Sequence, residues 1–318
     1  MMSGGILLTV RVLLPVGDDR LMLRTVVVLL LSVVLFACSR AQLAYRNADG
    51  LLEYYARETI AISAIQRKQW QPVLATTLQQ HRDSELAYLV AYLEIASRAV
   101  GQDQDAADVA CLVDGALQLS RRHARLAVDL AVPLLADLDQ VQIEHLSAYT
   151  AKRQDRLVAR YLDPDPELGK KARRMRFNER IEKWVGRMNP DQQHLVDEAL
   201  ERIPDISPFW LAYREQQTIG LLDMLEADED AEALRRYLSS WWVEWQGRSA
   251  DYNRSWRVAK LEFTIFLERL VVSLTPKQRK KFGKRLDDLR DDLAEFLSPE
   301  SMPASLSTLT AGCEAPTA

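Results

Sequence analysis

The chain has 318 residues, with 41 basic and 45 acidic side chains and a formal net charge of −4 at pH 7. A mildly acidic chain argues against nucleic acid as a partner, because that affinity comes largely from neutralising phosphates with Lys and Arg. Only 12 Gly and 12 Pro interrupt a sequence rich in Ala, Leu, Arg, Glu, Asp and Gln, so composition gives an all-α fold class, a multi-helix bundle of two packed subdomains.

In chain order the first feature is the aliphatic run from Thr25 to Phe36, closed by Ala37-Cys38-Ser39-Arg40. About a dozen apolar residues suits the roughly 7–15 of a secretory h-region and falls short of the roughly 20 that span a bilayer. Residues 1–37 therefore read as a signal peptide. Met22-Leu23-Arg24 makes the better start, since Pro15 and Asp18-Asp19 stand where a basic n-region belongs. Leu35-Phe36-Ala37-Cys38 resembles the lipobox of bacterial lipoproteins. That resemblance implies that Cys38 carries fatty acid (palmitate) on its sulfur and becomes the mature N-terminus, anchoring the chain to a membrane. Ser39 in place of an aspartate implies the outer membrane, with the protein facing the periplasm from the inner leaflet. A plain cleaved signal, or a buried cysteine, is the simpler alternative.

Helices follow. Tyr45 to Glu58 reads as the first, opened by Asn47 or Asp49. Pro72 to Ala99 carries Leu74, Leu78, Leu86, Leu89, Val90 and Leu93 at spacings that make an apolar face. After a break at Gly101-Gln102-Asp103, Asp105 to Leu130 is helical up to Pro133, and Leu138 to Leu162 runs to Asp163-Pro164-Asp165-Pro166. Residues before proline are pushed out of the helical region, so this is the plainest hinge, and it divides a subdomain of residues 38–162 from one of 167–297. Beyond it, Glu167 to Gly186 bears Lys170, Lys171, Arg173, Arg174, Arg176 and Arg180. That basic stretch is a solvated face or a contact for anionic lipid headgroups. Further helices are expected at about 190–202, 208–226, 230–247 and 251–272. The last, Pro276 to Leu297, places Phe282, Leu286, Leu289, Leu293 and Phe296 on a seam that needs a neighbour helix. Residues 298–318, rich in Ser, Thr, Pro and Ala, read as a disordered tail.

Of the three cysteines, Cys111 lies in an apolar run and Cys313 in the tail. A bridge between them is open, but a buried Cys111 thiol is the expectation.

One local pattern recurs: an apolar residue, a capping residue, two free positions and Gln. It occurs with Ser63 and Gln66, with Asp139 and Gln142, with Asn189 and Gln192, and in its fullest form as Leu274-Thr275-Pro276-Lys277-Gln278. This is the grammar of a capping box, in which the N-cap oxygen accepts from the N3 backbone while the N3 glutamine reaches back. Pro190 and Pro276 suit the first helical position. The Leu-Thr-x-x-Gln form also resembles the motif of the small periplasmic chaperones of the Spy and CpxP type, helical cradles that hold unfolded clients without ATP. A second resemblance covers most of the chain. Tyr45-Arg46-Asn47-Ala48-Asp49, His81-Arg82 followed by Glu85-Leu86 and Tyr88, and Pro208-Phe209-Trp210-Leu211 followed by Arg214 are similar to an uncharacterised family of Gram-negative envelope lipoproteins, a domain of unknown function. It implies fold and location, and no activity.

Candidates for chemistry are sparse. His81 and Glu85, four apart, share a helix face, but neither an HExxH nor an ExxH pattern supplies metal ligands, so no metal or cofactor is expected and no catalytic residue is assigned. GxSxG, GxxxxGK[ST] and CxxC patterns are absent from the sequence. Trp242, Trp245, Arg248, Arg254, Trp256 and Arg257 form an aromatic and cationic stretch of the kind that anchors interfaces. Leu234, Leu238, Trp241 and Trp245 share one helix stripe, which leaves Trp242 as the surface candidate. The sequence thus points to a non-enzymatic, lipid-anchored periplasmic protein that binds an unfolded or envelope polypeptide as holder or adaptor. The rival is an envelope enzyme acting on peptidoglycan or lipid through His81 and Glu85.

Overall fold

The computed structural model describes residues 40–101 and 109–298. The expectations for the signal peptide, Cys38, the end of the Gly101-Gln102-Asp103 break, Cys313 and the tail from 299 onward lie outside the described residues. Among the described residues there is no strand, and the chain is an all-α bundle. The helices are α1 (Arg40–Arg46), α2 (Ala48–Ile60), α3 (Ala64–Gln80), α4 (Leu86–Gly101), α5 (Val109–Leu135), α6 (Gln140–Tyr161), α7 (Pro166–Val185), α8 (Pro190–Arg202), α9 (Ser207–Glu226), α10 (Ala231–Leu238), α11 (Ala250–Ser273) and α12 (Pro276–Ala294). Two five-residue π-helical turns interrupt them, His81–Glu85 between α3 and α4 and Ser239–Val243 after α10.

All four recurring elements are complete capping boxes at the starts of α3, α6, α8 and α12. Pro72, expected as an opening residue, lies inside α3. The Ser63–Gln66 box starts the helix earlier because it satisfies two orphan backbone groups, whereas an internal proline removes only one bond. The hinge is where the spacing puts it. Asp165 caps α7 through the amides of Glu167 and Leu168, and Pro166 takes the position where a missing N–H has no consequence.

The boxes also join in pairs. Gln66 Nε2 donates to Gln142 Oε1 at 2.9 Å and receives the reciprocal bond at 2.8 Å. Gln192 and Gln278 do the same at 3.0 and 2.9 Å. Each amide also bonds the backbone just before its partner's helix: Gln66 to Asp137 O, Gln142 to Ala61 O, Gln192 to Ser273 O and Gln278 to Arg187 O. Four helical elbows, α2–α3, α5–α6, α7–α8 and α11–α12, are thus locked two by two.

Two hydrophobic cores result. The first contains Leu86, Leu93, Val185, Val196, Phe266 and Leu286, and the second Trp70, Leu74, Val128, Leu146, Leu234 and Leu238. Each draws helices from both sides of the hinge. Leu74 and Leu78 face the second core while Leu86, Leu89 and Leu93 face the first, so the stripe changes partner at the π turn, whose extra residue rotates the following face by about 100°. The seam of α12 lies along α4, with Leu286 and Leu293 buried and Phe282, Leu289 and Phe296 partly so.

Candidate functional site

A groove of about 820 Å³ is bounded by α4, α5, α7, α11, α12 and the turn 203–207. Its wall is almost wholly apolar, including Leu93 and Ala96 of α4, Leu112, Val113 and Leu117 of α5, Phe177, Ile181 and Trp184 of α7, Phe263 and Leu267 of α11, and Phe282 of α12. Both the size and the apolar lining match small-molecule and peptide sites. Two polar side chains of the wall are committed elsewhere, and Asp205, which accepts from Ser207 N, lies in the turn 203–207. Tyr92 Oη donates to Leu112 O at 2.8 Å, and burial pushes its phenol up to about 12. Lys260 pairs with Asp114.

The basic helix α7 supplies the rim. Lys170 and Arg174 face away and are ion-paired, to Glu167 and Asp197. Arg173, Arg176 and Arg180, spaced three and four apart, line the groove. Arg173 bonds the carbonyls of Leu200, Ile203 and Pro204, which close α8, and burial lowers its pKa. Arg176 bonds Arg160 O and lies 5.0 Å from the Tyr161 ring, and Arg180 bonds Tyr161 Oη at 3.3 Å. Both guanidiniums bond neutral groups, and among the described residues neither is ion-paired to a carboxylate.

The aromatic and cationic stretch is mostly turned inward. The Arg248 guanidinium lies among four rings, Trp245 and Tyr252 at 4.7 Å, Trp256 at 5.4 Å and Tyr213 at 5.6 Å. Arg121 covers Trp245 from α5 at 4.7 Å. Trp245 adopts φ 57, a left-handed conformation uncommon for a bulky residue, and these two cation–π contacts hold it there. Arg254 pairs with Asp251, and Arg257 is exposed. Trp242, expected at the surface, is half-buried against the second core together with Trp241. The π turn 239–243 is the cause, because its added residue rotates Trp242 off the position that a straight helix would give it. Trp256 alone of this set lines the groove.

His81 and Glu85 lie in the first π turn. The buried Glu85 accepts both arms of Arg122, Nε at 2.5 Å and Nη2 at 2.8 Å, and Arg122 stacks on Tyr88 at 4.1 Å. His123 Nδ1 bonds Leu119 O, so it carries the proton and leaves Nε2 as an acceptor. His81 Nε2 lies 3.1 Å from that acceptor, and its Nδ1 lies 2.8 Å from Tyr45 Oη. Tyr45, His81, His123 and Leu119 thus form one continuous hydrogen-bonded chain. Burial foremost, then the neighbouring His123, holds His81 down at about 4. The sequence reading missed Arg121, Arg122 and His123, three consecutive residues of α5 whose spacing marks no shared face.

Cys111 corrects another expectation. It is half-buried on α5 and disulfide-bonded rather than a free thiol, its partner lying outside the described residues. Among the described residues no group of three or more His, Cys, Asp or Glu is placed to hold a metal ion.

Residues 59–246 match a family of unknown function, DUF6279. The chain belongs to this family. The DUF6279 span opens at the α2–α3 elbow and holds the whole Gln66–Gln142 lock, the basic helix α7 and the π turn of His81, and it ends before α11 and α12 complete the groove. No curated protein and no solved structure matches the chain.

Proposed function

We propose that this DUF6279 protein is a lipid-anchored envelope protein that holds polypeptide without catalysing a reaction, as a chaperone-like holder or as an adaptor in an envelope complex. The observation that carries the reading is the apolar groove with its basic rim. An apolar concave wall that large favours burial of another molecule's apolar surface, at roughly 25 cal/mol per Å². The resemblance of Leu274-Thr275-x-x-Gln278 to the Spy and CpxP motif supports a holder. The lipobox-like Leu35 to Cys38 supports the anchor, and Ser39 in place of an aspartate supports the outer membrane, facing the periplasm. No helix among the described residues is long and apolar enough to cross a membrane.

The enzyme reading fares worse on geometry. Glu85 has both oxygens committed to Arg122, and His81 is committed on both nitrogens.

The test is light scattering from an aggregating model client, with and without the polypeptide from Ser39 onward, in the absence of ATP. Suppression at near-stoichiometric amounts is expected, and His81→Ala should preserve it. No suppression would reject the holder and leave the adaptor, to be sought by crosslinking in cells. For the anchor, Cys38→Ser should abolish acyl labelling and processing; labelling that persists would reject the lipid assignment.

A further inference from the structure

Granting that the groove takes polypeptide, we infer that its occupant is an amphipathic helix with acidic residues along one edge of its apolar face. The wall decides the backbone form. Along α4, α5 and α11 its polar side chains are committed within the protein, Tyr92 to Leu112 O and Lys260 to Asp114, while Asp205 and Ser207 lie only in the turn at one end. An extended strand would therefore bury amides and carbonyls with nothing to bond, whereas a helix satisfies its own.

The dimensions agree. Lining residues run from Arg173 to Val185 along α7 and from Trp256 to Val271 along α11. At 1.5 Å per residue these are stretches of about 18 to 22 Å, or three to four turns of a bound helix. The charge is mostly basic, the carboxylate of Asp205 standing near Arg173 at one end. Arg173, Arg176 and Arg180 follow the i, i+3, i+7 spacing of one helix stripe, and among the described residues Arg176 and Arg180 bond neutral groups. Carboxylates at the same spacing on a docked helix would meet them, whereas lysines there would be repelled.

The experiment uses the full-length protein and three fluorescent 14-residue peptides with the same leucine face. One carries Glu along the edge, the second carries Lys there, and the third is the Glu peptide with a central proline that breaks the helix. Anisotropy in low salt should show the Glu peptide bound at least tenfold more tightly than either of the others. Arg176→Glu with Arg180→Glu should reverse the Glu/Lys order while circular dichroism confirms the fold. Ala116→Trp, an exposed position on the groove wall, should block all binding.

Equal binding of the Glu and Lys peptides, blocked by Ala116→Trp, would overturn the acidic edge and leave the polypeptide reading standing. Undiminished binding of the proline peptide would overturn the helix. Failure of every peptide, with a fluorescent fatty acid bound instead, would overturn this inference and the polypeptide reading together.

Discussion

The side-chain amides of Gln192 and Gln278 exchange two hydrogen bonds, at 3.0 and 2.9 Å, in the interior of the bundle where Gln192 has no exposed surface. Each amide oxygen also accepts the N-cap amide of its own helix, and each nitrogen bonds a carbonyl before the partner's helix. Local capping and long-range closure thus share the two amide oxygens.

Removing either glutamine strands buried backbone groups. Gln192→Ala and Gln278→Ala should each destabilise by about 2–3 kcal/mol, and the double variant by less than the sum, with a coupling of about 1–2 kcal/mol. Urea unfolding of the three variants measures this. Strict additivity would show that the amides act only as separate caps. Gln66→Ala, at a more exposed lock, should cost less.

Acid should weaken the fold through His81. Its folded pKa of about 4 lies below the ordinary 6.5, so between these values the unfolded chain binds a proton that the native ring refuses, and stability falls as pH falls. The slope is at most about 1.4 kcal/mol per pH unit, and less where solvent reaches the ring. The dependence fades as pH rises through 6.5 and is gone about one to two units above it. His81→Gln should flatten the acid limb, and the His81 ring should titrate near 4 by NMR.

Gly220 on α9 faces Tyr237 on α10. A Cβ there would press into the phenol oxygen and stand 3.1 Å from Cζ. Gly220→Ala should therefore cost about 1–3 kcal/mol by overpacking. Adding Tyr237→Phe removes the nearest atom, so the double variant should be more stable than the summed single costs in urea unfolding.

The disulfide at Cys111 gives a chemical prediction. Without reductant Cys111 should resist alkylation, and peptide mapping should find it crosslinked. Reduction should lower stability by about 2–4 kcal/mol. A freely alkylated Cys111 in oxidised protein would refute the bond.

Much of this was legible in the residues. Helix starts at Asn189, Asp165 and Thr275 are written in capping oxygens and N1 prolines, local chemistry that needs no partner. The α12 seam declared that it required a neighbour, though not that α4 was the one. The pairing of glutamines was hidden, because a Gln at N3 is already explained by its own cap. Trp242 was misplaced because a π turn has no clear signature in Ser239-Ser240-Trp241-Trp242-Val243, and one added residue defeats extrapolation by helical period. The groove was invisible for another reason. Leu112, Val113, Phe177 and Phe263 carry the same apolar signature whether they face a core or a void, and only the assembled bundle distinguishes the two.

The locks have a symmetry that bears on assembly. Within each, both elbows play the same part, giving one amide and receiving one, so the contact is self-complementary in the manner of a twofold dimer interface. A chain shortened before Thr275 would keep the Gln192 elbow and lose its complement, and a second copy of the same molecule would offer an identical surface. Such a truncation is expected to associate through that elbow and elute as a dimer, so the intact protein reads as two elbow dimers written into a single chain.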